Sequence, residues 1–167
     1  RRLYADGSYV RAHQHASGAR IGEERAIGHS RGGRTTKIHV VSDAPGLPVN
    51  FEITGGNVHD VKIAPDLIEE TIQGKGTFVA DKAYDSDLLR EKIRRHGKTP
   101  VIPRRGNSKK TNPGFRKDSY RKRHSVENLF ARIKNYRGVS TRFDKLARNF
   151  RAVLNITFSI VWLKASK

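Results

Sequence analysis

The sequence predicts a single α/β domain over residues 1–167, a mixed β-sheet flanked by α-helices. Three observations carry this. The chain is long enough for one substantial core and too short for two. β-rich runs cluster early and then alternate with helical patterns. Apolar positions in the later segments recur at helical spacing.

Taken in order, "RRLYADGSYVRA" reads as a short strand ending near Asp-Gly, a turn signal that leaves Asp6 at a strand end. A Gly-, His- and Arg-rich loop follows over residues 13–34. "TTKIHVVS" and "LPVNFEIT", separated by the turn signal "DAPG", read as an antiparallel hairpin. "NVHDVKIAPDLIEETI" has a helical pattern that would cover the sheet, with Asn57 or Asp60 available as caps and Pro65 offering an alternative start. Thr77 to Ala80 form a short apolar run suited to a buried strand, and Asp81 follows directly. Ser86 or Asp85 can cap the helix "DLLREKIRRHG", which stops at Gly97, and "TPVIP" reads as the next strand. The basic, breaker-rich residues 104–118 read as a mobile surface loop. "YRKRHSVENLFARIK", residues 120–134, reads as one helix. At about 100° per residue, Tyr120, Arg123, Glu127 and Lys134 share one narrow stripe beside an apolar arc of Val126, Leu129, Phe130 and Ile133. The stretch from Leu146 is broken by Arg148, Asn149, Arg151 and Asn155, so it reads as a buried C-terminal helix and not a membrane span.

Charge narrows the partner. A formal charge of +18 and a pI near 10.7 favour a polyanion, with nucleic acid ahead of an anionic membrane. The charge is concentrated: residues 90–137 hold seventeen Lys and Arg against Glu91, Asp118 and Glu127. The absence of cysteine excludes disulfides, thiolate zinc sites and cysteine nucleophiles, and makes the cytosol the natural compartment. The histidines show no zinc-ligand spacing. His59-Asp60 is the exception, because it opens a helix on the side where the active site is expected, and "SRGGRTTK" lacks P-loop spacing and reads as a DNA-facing loop. Arg104, Arg105, Lys109 and Lys110, in the basic loop, are expected to contact phosphates without reading sequence.

Three acids occupy comparable places. Asp6 follows the first strand, Asp81 follows a central strand, and Glu127 is the lone acid of a basic helix. In a mixed sheet with covering helices, strand ends meet at one edge. Carboxylates converging there suit Mg²⁺ or Mn²⁺, hard ions commonly shared with substrate phosphates, and a pair of such ions supports phosphoryl transfer.

"ADGSYVRAHQHASGA", "GHSRGGRTTKIHVVSDAPGLPVNFEITGGNVHD", "ADKAYDSDLLR" and "YRKRHSVENLFARIKNYRGVSTRFDKLARNF" resemble, end to end, the catalytic domain of bacterial insertion-sequence DDE transposases. The most specific element is Y-x2-R-x3-E-x6-K, met by Tyr120, Arg123, Glu127 and Lys134; D-x-[GA]-x-[YF] is met by Asp81, Ala83 and Tyr84. The resemblance implies an RNase H-like sheet, with Asp6, Asp81 and Glu127 as catalytic metal ligands for two Mg²⁺ or Mn²⁺ ions. It implies that Tyr120, Arg123 and Lys134 handle transposon-end DNA. The implied partners are duplex DNA, both terminal inverted repeats and target, and a second copy in a DNA-assembled homodimer, in the nucleoid of a bacterial cytoplasm. Family members usually carry a helical segment ahead of the first strand, whereas this sequence opens on strand residues, so a truncation is expected. The alternative is therefore a remnant that binds DNA without catalysis. An RNA-binding basic protein fits composition alone but leaves the ordered acids unexplained.

Overall fold

The computed structural model describes residues 1–18, 24–69, 71, 74–113 and 115–166. Its strands are β1 (Arg2–Ala12), β2 (Gly28–Ser30), β3 (Gly33–Asp43), β4 (Pro48–Gly55), β5 (Gly76–Ala80), β6 (Lys98–Val101) and β7 (Thr141–Arg142). They form one sheet in the order β2-β3-β1-β5-β6, with β4 also on β3 and β7 also on β1. The helices are α1 (Asp60–Glu69), α2 (Asp87–Arg95), α3 (Lys117–Arg121), α4 (His124–Lys134), α5 (Arg137–Ser140) and α6 (Ala147–Ala165). The path β4-β3-β1-β5-β6, with α1 and α2 crossing to parallel strands, is the RNase H-like arrangement that was expected. No helix among the described residues is long and apolar enough to cross a membrane.

The described chain divides into two compact units. The first contains Arg1–Asp6, Val40–Phe51 and His59–Asn128; the second contains Gly7–His39, Glu52–Val58 and Leu129–Lys167.

In the first unit, β1 and β5 pair in parallel from Arg2 with Thr77 to Ala5 with Ala80, and β5 and β6 from Gly76 with Lys98 to Val79 with Val101. Helix α1 turns Ala64, Leu67 and Ile68 onto the sheet, and α2 turns Leu89 and Ile93; all five are buried. Those spacings are the helical stripe that a sheet-covering helix must bury. Ser86 caps α2 by accepting from the Leu89 amide, and Gly97 stops it at φ +79°. Pro65 lies inside α1, not at its start. The turn before it still forms because Asp60 and Ala64 bury with the stripe, and one missing N–H costs less than losing that face.

Two expectations in this unit fail. Residues 120–134 are not one helix: α3 ends at Arg121, Lys122 and Arg123 form a turn, and α4 begins at His124. Bonds from the Arg123 amide to the Tyr120 carbonyl and from Val126 to Arg123 span three residues, a tighter winding that apolar periodicity does not register. Among the described residues, the basic segment after β6 has no helix or strand before α3, yet it is pinned. Buried Arg90 donates to the Ile102 carbonyl and to Asn112 Oδ1, and Asn112 Nδ2 donates back to Ile102.

In the second unit, β1 runs on through Gly7 to Ala12, so Asp6 is not at a strand end. Tyr9 and Val10 are strand formers, and β7 offers a parallel partner, Arg11 with Thr141 and Ala12 with Arg142. The loop expected over residues 13–34 contains a 3₁₀ turn (Gln14–Ser17) and the tight β2-β3 hairpin, with Gly33 at φ +84°; residues 19–23 lie outside the described ones. Helix α6 is buried on one face only: Phe150, Leu154, Phe158 and Val161 are inside while Ile156, Trp162 and Leu163 are exposed. Arg142, with no exposed surface, donates to Thr36 Oγ1 and to the Ala26, Asp144 and Lys145 carbonyls, and lies 5.1 Å over the Phe150 ring. Burial lowers it to about 10. That cation serves the core and is withheld from any ligand.

Candidate active site

The pairing of β1 with β5 ends at Ala5 and Ala80, so Asp6 and Asp81 are the next residue on each of two adjacent parallel strands. Register therefore brings the two acids side by side at the edge where the paired ribbon stops. The Asp81 carboxylate accepts from the Ala83 amide at 2.8 Å and caps a 3₁₀ turn (Lys82–Tyr84), and its carbonyl accepts from the Tyr84 amide. This fixes the carboxylate's root before any ligand arrives.

Tyr84 completes that turn and points inward, 1 % exposed, with a hydroxyl that makes no hydrogen bond of ordinary length. Burial first, then the carboxylates of Asp60, Asp6 and Asp81, hold the phenol well above its usual range. Asp60, itself 7 % exposed at the start of α1, is thus part of the same acidic surroundings. The sequence pointed to His59-Asp60 as opening a helix on the active-site side; the buried member is Asp60, and its nearness to Tyr84 had no local signal.

Glu127 comes from α4, and Arg123 joins it to Asp6. One guanidinium nitrogen lies 2.8 Å from Asp6 Oδ2 and the other 2.5 Å from Glu127 Oε1. Side-chain exposure is 17 % for Arg123, 16 % for Asp6 and 52 % for Glu127. Burial opposes the Arg123 charge, but the Asp6 carboxylate and then that of Glu127 outweigh it and raise the guanidinium above its ordinary value. Tyr120 packs near this group, its ring centroid 5.8 Å from the guanidinium carbon and 5.4 Å from that of Phe115. Asp6, Asp81, Glu127, Tyr120 and Arg123 all belong to the first unit.

Lys134 belongs to the second unit; it follows Glu127 by seven residues on α4, whereas the break at Lys122 and Arg123 leaves Tyr120 and Arg123 off that helix. Its ammonium donates to the Tyr9 carbonyl at 2.9 Å, and burial pushes it below the ordinary lysine value. Lys37 sits 4.8 Å over the exposed Tyr9 ring. In the basic segment, Arg104 reaches Asp85 and Asp87, Lys110 reaches Asp87, and the Arg105 amide donates to Asp85 Oδ2. Lys109 has exposed surface.

Among the described residues, no three acids or histidines are arranged closely enough to hold a metal ion without rearrangement. The donor chemistry nonetheless fits a divalent cation of the Mg²⁺ or Mn²⁺ class: all three side chains offer hard oxygens, and two of them already converge on one positive group.

Residues 1–162 match the family described as the transposase DDE domain. The chain is 32 % identical over 130 residues to a Brucella ovis protein named as a transposase for insertion sequence element IS6501, covering 78 % of this chain and 99 % of that one. It is 31 % identical over 131 residues to a Burkholderia cepacia protein named as a transposase for insertion sequence element IS402, covering 72 % of this chain and 59 % of that one. A piggyBac transposase synaptic complex with hairpin DNA aligns at 15 % identity and a TM-score of 0.44, over 67 % of this chain and 24 % of that one.

Proposed function

Because this chain belongs to the transposase DDE domain family, we propose that it is one RNase H-like catalytic domain that cuts DNA at insertion-sequence ends and joins the 3′ ends to target DNA. The observation that carries the reading is the register of β1 on β5, which sets Asp6 beside Asp81, together with the Arg123 bridge from Asp6 to Glu127.

Asp6, Asp81 and Glu127 would hold Mg²⁺ or Mn²⁺, two ions in the fullest arrangement. When bound, such ions activate water or a 3′-hydroxyl and neutralise the leaving oxygen of an in-line displacement. The chain's own residues do the rest. The 3₁₀ turn after Asp81 keeps that carboxylate at the sheet edge. Tyr84 and Asp60 lie buried beside these acids. Arg123, released from its two carboxylates, is placed to hold a backbone phosphate, with Tyr120 packed beside it. Lys134 supports β1 through the Tyr9 carbonyl and adds positive charge to the same helix, while Arg104, Arg105, Lys109 and Lys110 supply contacts to duplex phosphates. The partners are terminal-repeat and target DNA in the bacterial cytoplasm and nucleoid, and a second copy, since two element ends must be joined together.

The test is Glu127→Gln, which removes one ligand charge and hardly alters shape. Mg²⁺-dependent cleavage and strand transfer on a duplex carrying the element ends should disappear, while binding of that duplex persists. Undiminished cleavage by the variant would sink the assignment of the third acid.

A further inference from the structure

The turn that carries Asp81 also carries the anchor of the basic segment. Asp85, whose side chain is 6 % exposed, accepts from Arg90 Nε and Nη2 at 3.2 and 2.8 Å, from Arg104 Nη1 at 3.2 Å and from the Arg105 amide at 2.9 Å. The segment after β6 is thereby strapped four residues from the second acid. Two residues further on, Asp87 behaves differently. Its carboxylate is half exposed, yet one oxygen takes Arg104 Nη1 at 2.7 Å and the other takes the Lys110 ammonium, itself 66 % exposed.

An exposed anion holding one guanidinium and one ammonium from a basic segment is arranged as a backbone phosphate would be. Asp85 is already served by buried Arg90, and Ser86 caps α2, so the strap and the helix start each keep a partner without Asp87. We propose that Asp87 occupies a DNA-phosphate site formed by Arg104 and Lys110, and that a duplex phosphate displaces its carboxylate when DNA binds. This rests on the transposase reading and adds to it a named phosphate site and an internal competitor for it. The competitor weakens the grip on DNA at large, leaving binding to depend more on contacts nearer the acids.

The experiment is a salt titration of binding to a random-sequence duplex by the whole chain. Asp87→Asn should bind more tightly at low salt. Its salt dependence should steepen by roughly 0.9 per recovered phosphate contact, so the advantage shrinks about threefold between about 50 and 200 mM salt for each contact. Adding Lys110→Gln to that variant should remove much of the gain and cost more affinity there than in the unaltered chain, where a phosphate must first displace Asp87 to reach Lys110. Asp66→Asn, which deletes an equal charge at an exposed position of α1, should not reproduce the gain. An unchanged slope in Asp87→Asn, an equal gain in Asp66→Asn, or a gain that survives Lys110→Gln overturns the proposal. Lys110→Gln in the unaltered chain keeps the test decisive if Asp87→Asn folds poorly: it should weaken binding and flatten the salt slope, and an unchanged affinity and slope overturn the proposal. Failure of the unaltered chain to bind any duplex overturns the transposase reading itself.

Discussion

Replacing Arg123 with alanine should destabilise the domain without metal and make it more responsive to metal. Arg123 bridges Asp6 and Glu127 with its own side chain and that of Asp6 both less than one-fifth exposed. Breaking a fully buried pair costs about 3–5 kcal/mol, and an exposed one is worth about 0.2–1 kcal/mol. The half-exposed Glu127 adds little, so this bridge belongs between those limits, at about 1–3 kcal/mol. At about 2–4 °C per kcal/mol for a chain of this size, Tm falls by about 2–12 °C in EDTA. A divalent ion at a hundred times its Kd returns about 2.7 kcal/mol. The unaltered protein must first give up the Arg123 bridge to use that energy, and the variant need not. Thermal melts in EDTA and in saturating MgCl₂ or MnCl₂ therefore give the variant the larger metal-induced rise. The reasoning is refuted if the two proteins melt together in EDTA, or if metal raises both by the same amount.

Other outcomes follow from neighbouring features. Arg90→Ala strips Asp85 of its buried partner and frees the strap, so urea unfolding should show a loss of about 3–5 kcal/mol; Arg90→Lys should rescue little, because the lost bonds come from a planar fork. Burial works against the Asp85 charge, but Arg90, the Arg105 amide and Arg104 outweigh it and hold the carboxyl below its ordinary 3.8, while Lys110 and Arg104 hold Asp87 at about 2. Both values are depressed by folding, so their stabilisation is complete above about pH 4 and is lost as pH falls toward 2; denaturation midpoints across that window should lose slope in Asp85→Asn. Gly76→Ala would put a methyl 1.9 Å from the Arg1 carbonyl oxygen at a φ of +152°. It should cost about 1–3 kcal/mol from the backbone alone and disturb the β1-β5 register, which hydrogen exchange of the Thr77 amide would reveal.

How much was legible depended on the reach of each signal. The short apolar run before Asp81, the hairpin around "DAPG" and the capped helix ending at Gly97 are local, and the structure has them where the residues point. Asp-Gly at residues 6 and 7 misled because a turn signal yields when a partner strand is present, and β7, more than a hundred residues later, is that partner. The break at Lys122 and Arg123 escaped because a three-residue winding barely shifts the apolar stripe. The pinned basic segment was invisible for another reason: its anchor, Asp85, lies 19 residues before Arg104, and nothing near Arg104 announces it.

The parallel pairing of β1 with β5 also has a consequence for synthesis. A parallel neighbour cannot be reached by a tight turn, so Asp6 leaves the ribosome long before the strand that aligns it, and closing that crossover is a slow, non-local event. Glu127 emerges later still. A chain whose synthesis stops before Glu127 thus carries Asp6 and Asp81 without the third acid proposed above, and the three can meet only after α4 has emerged.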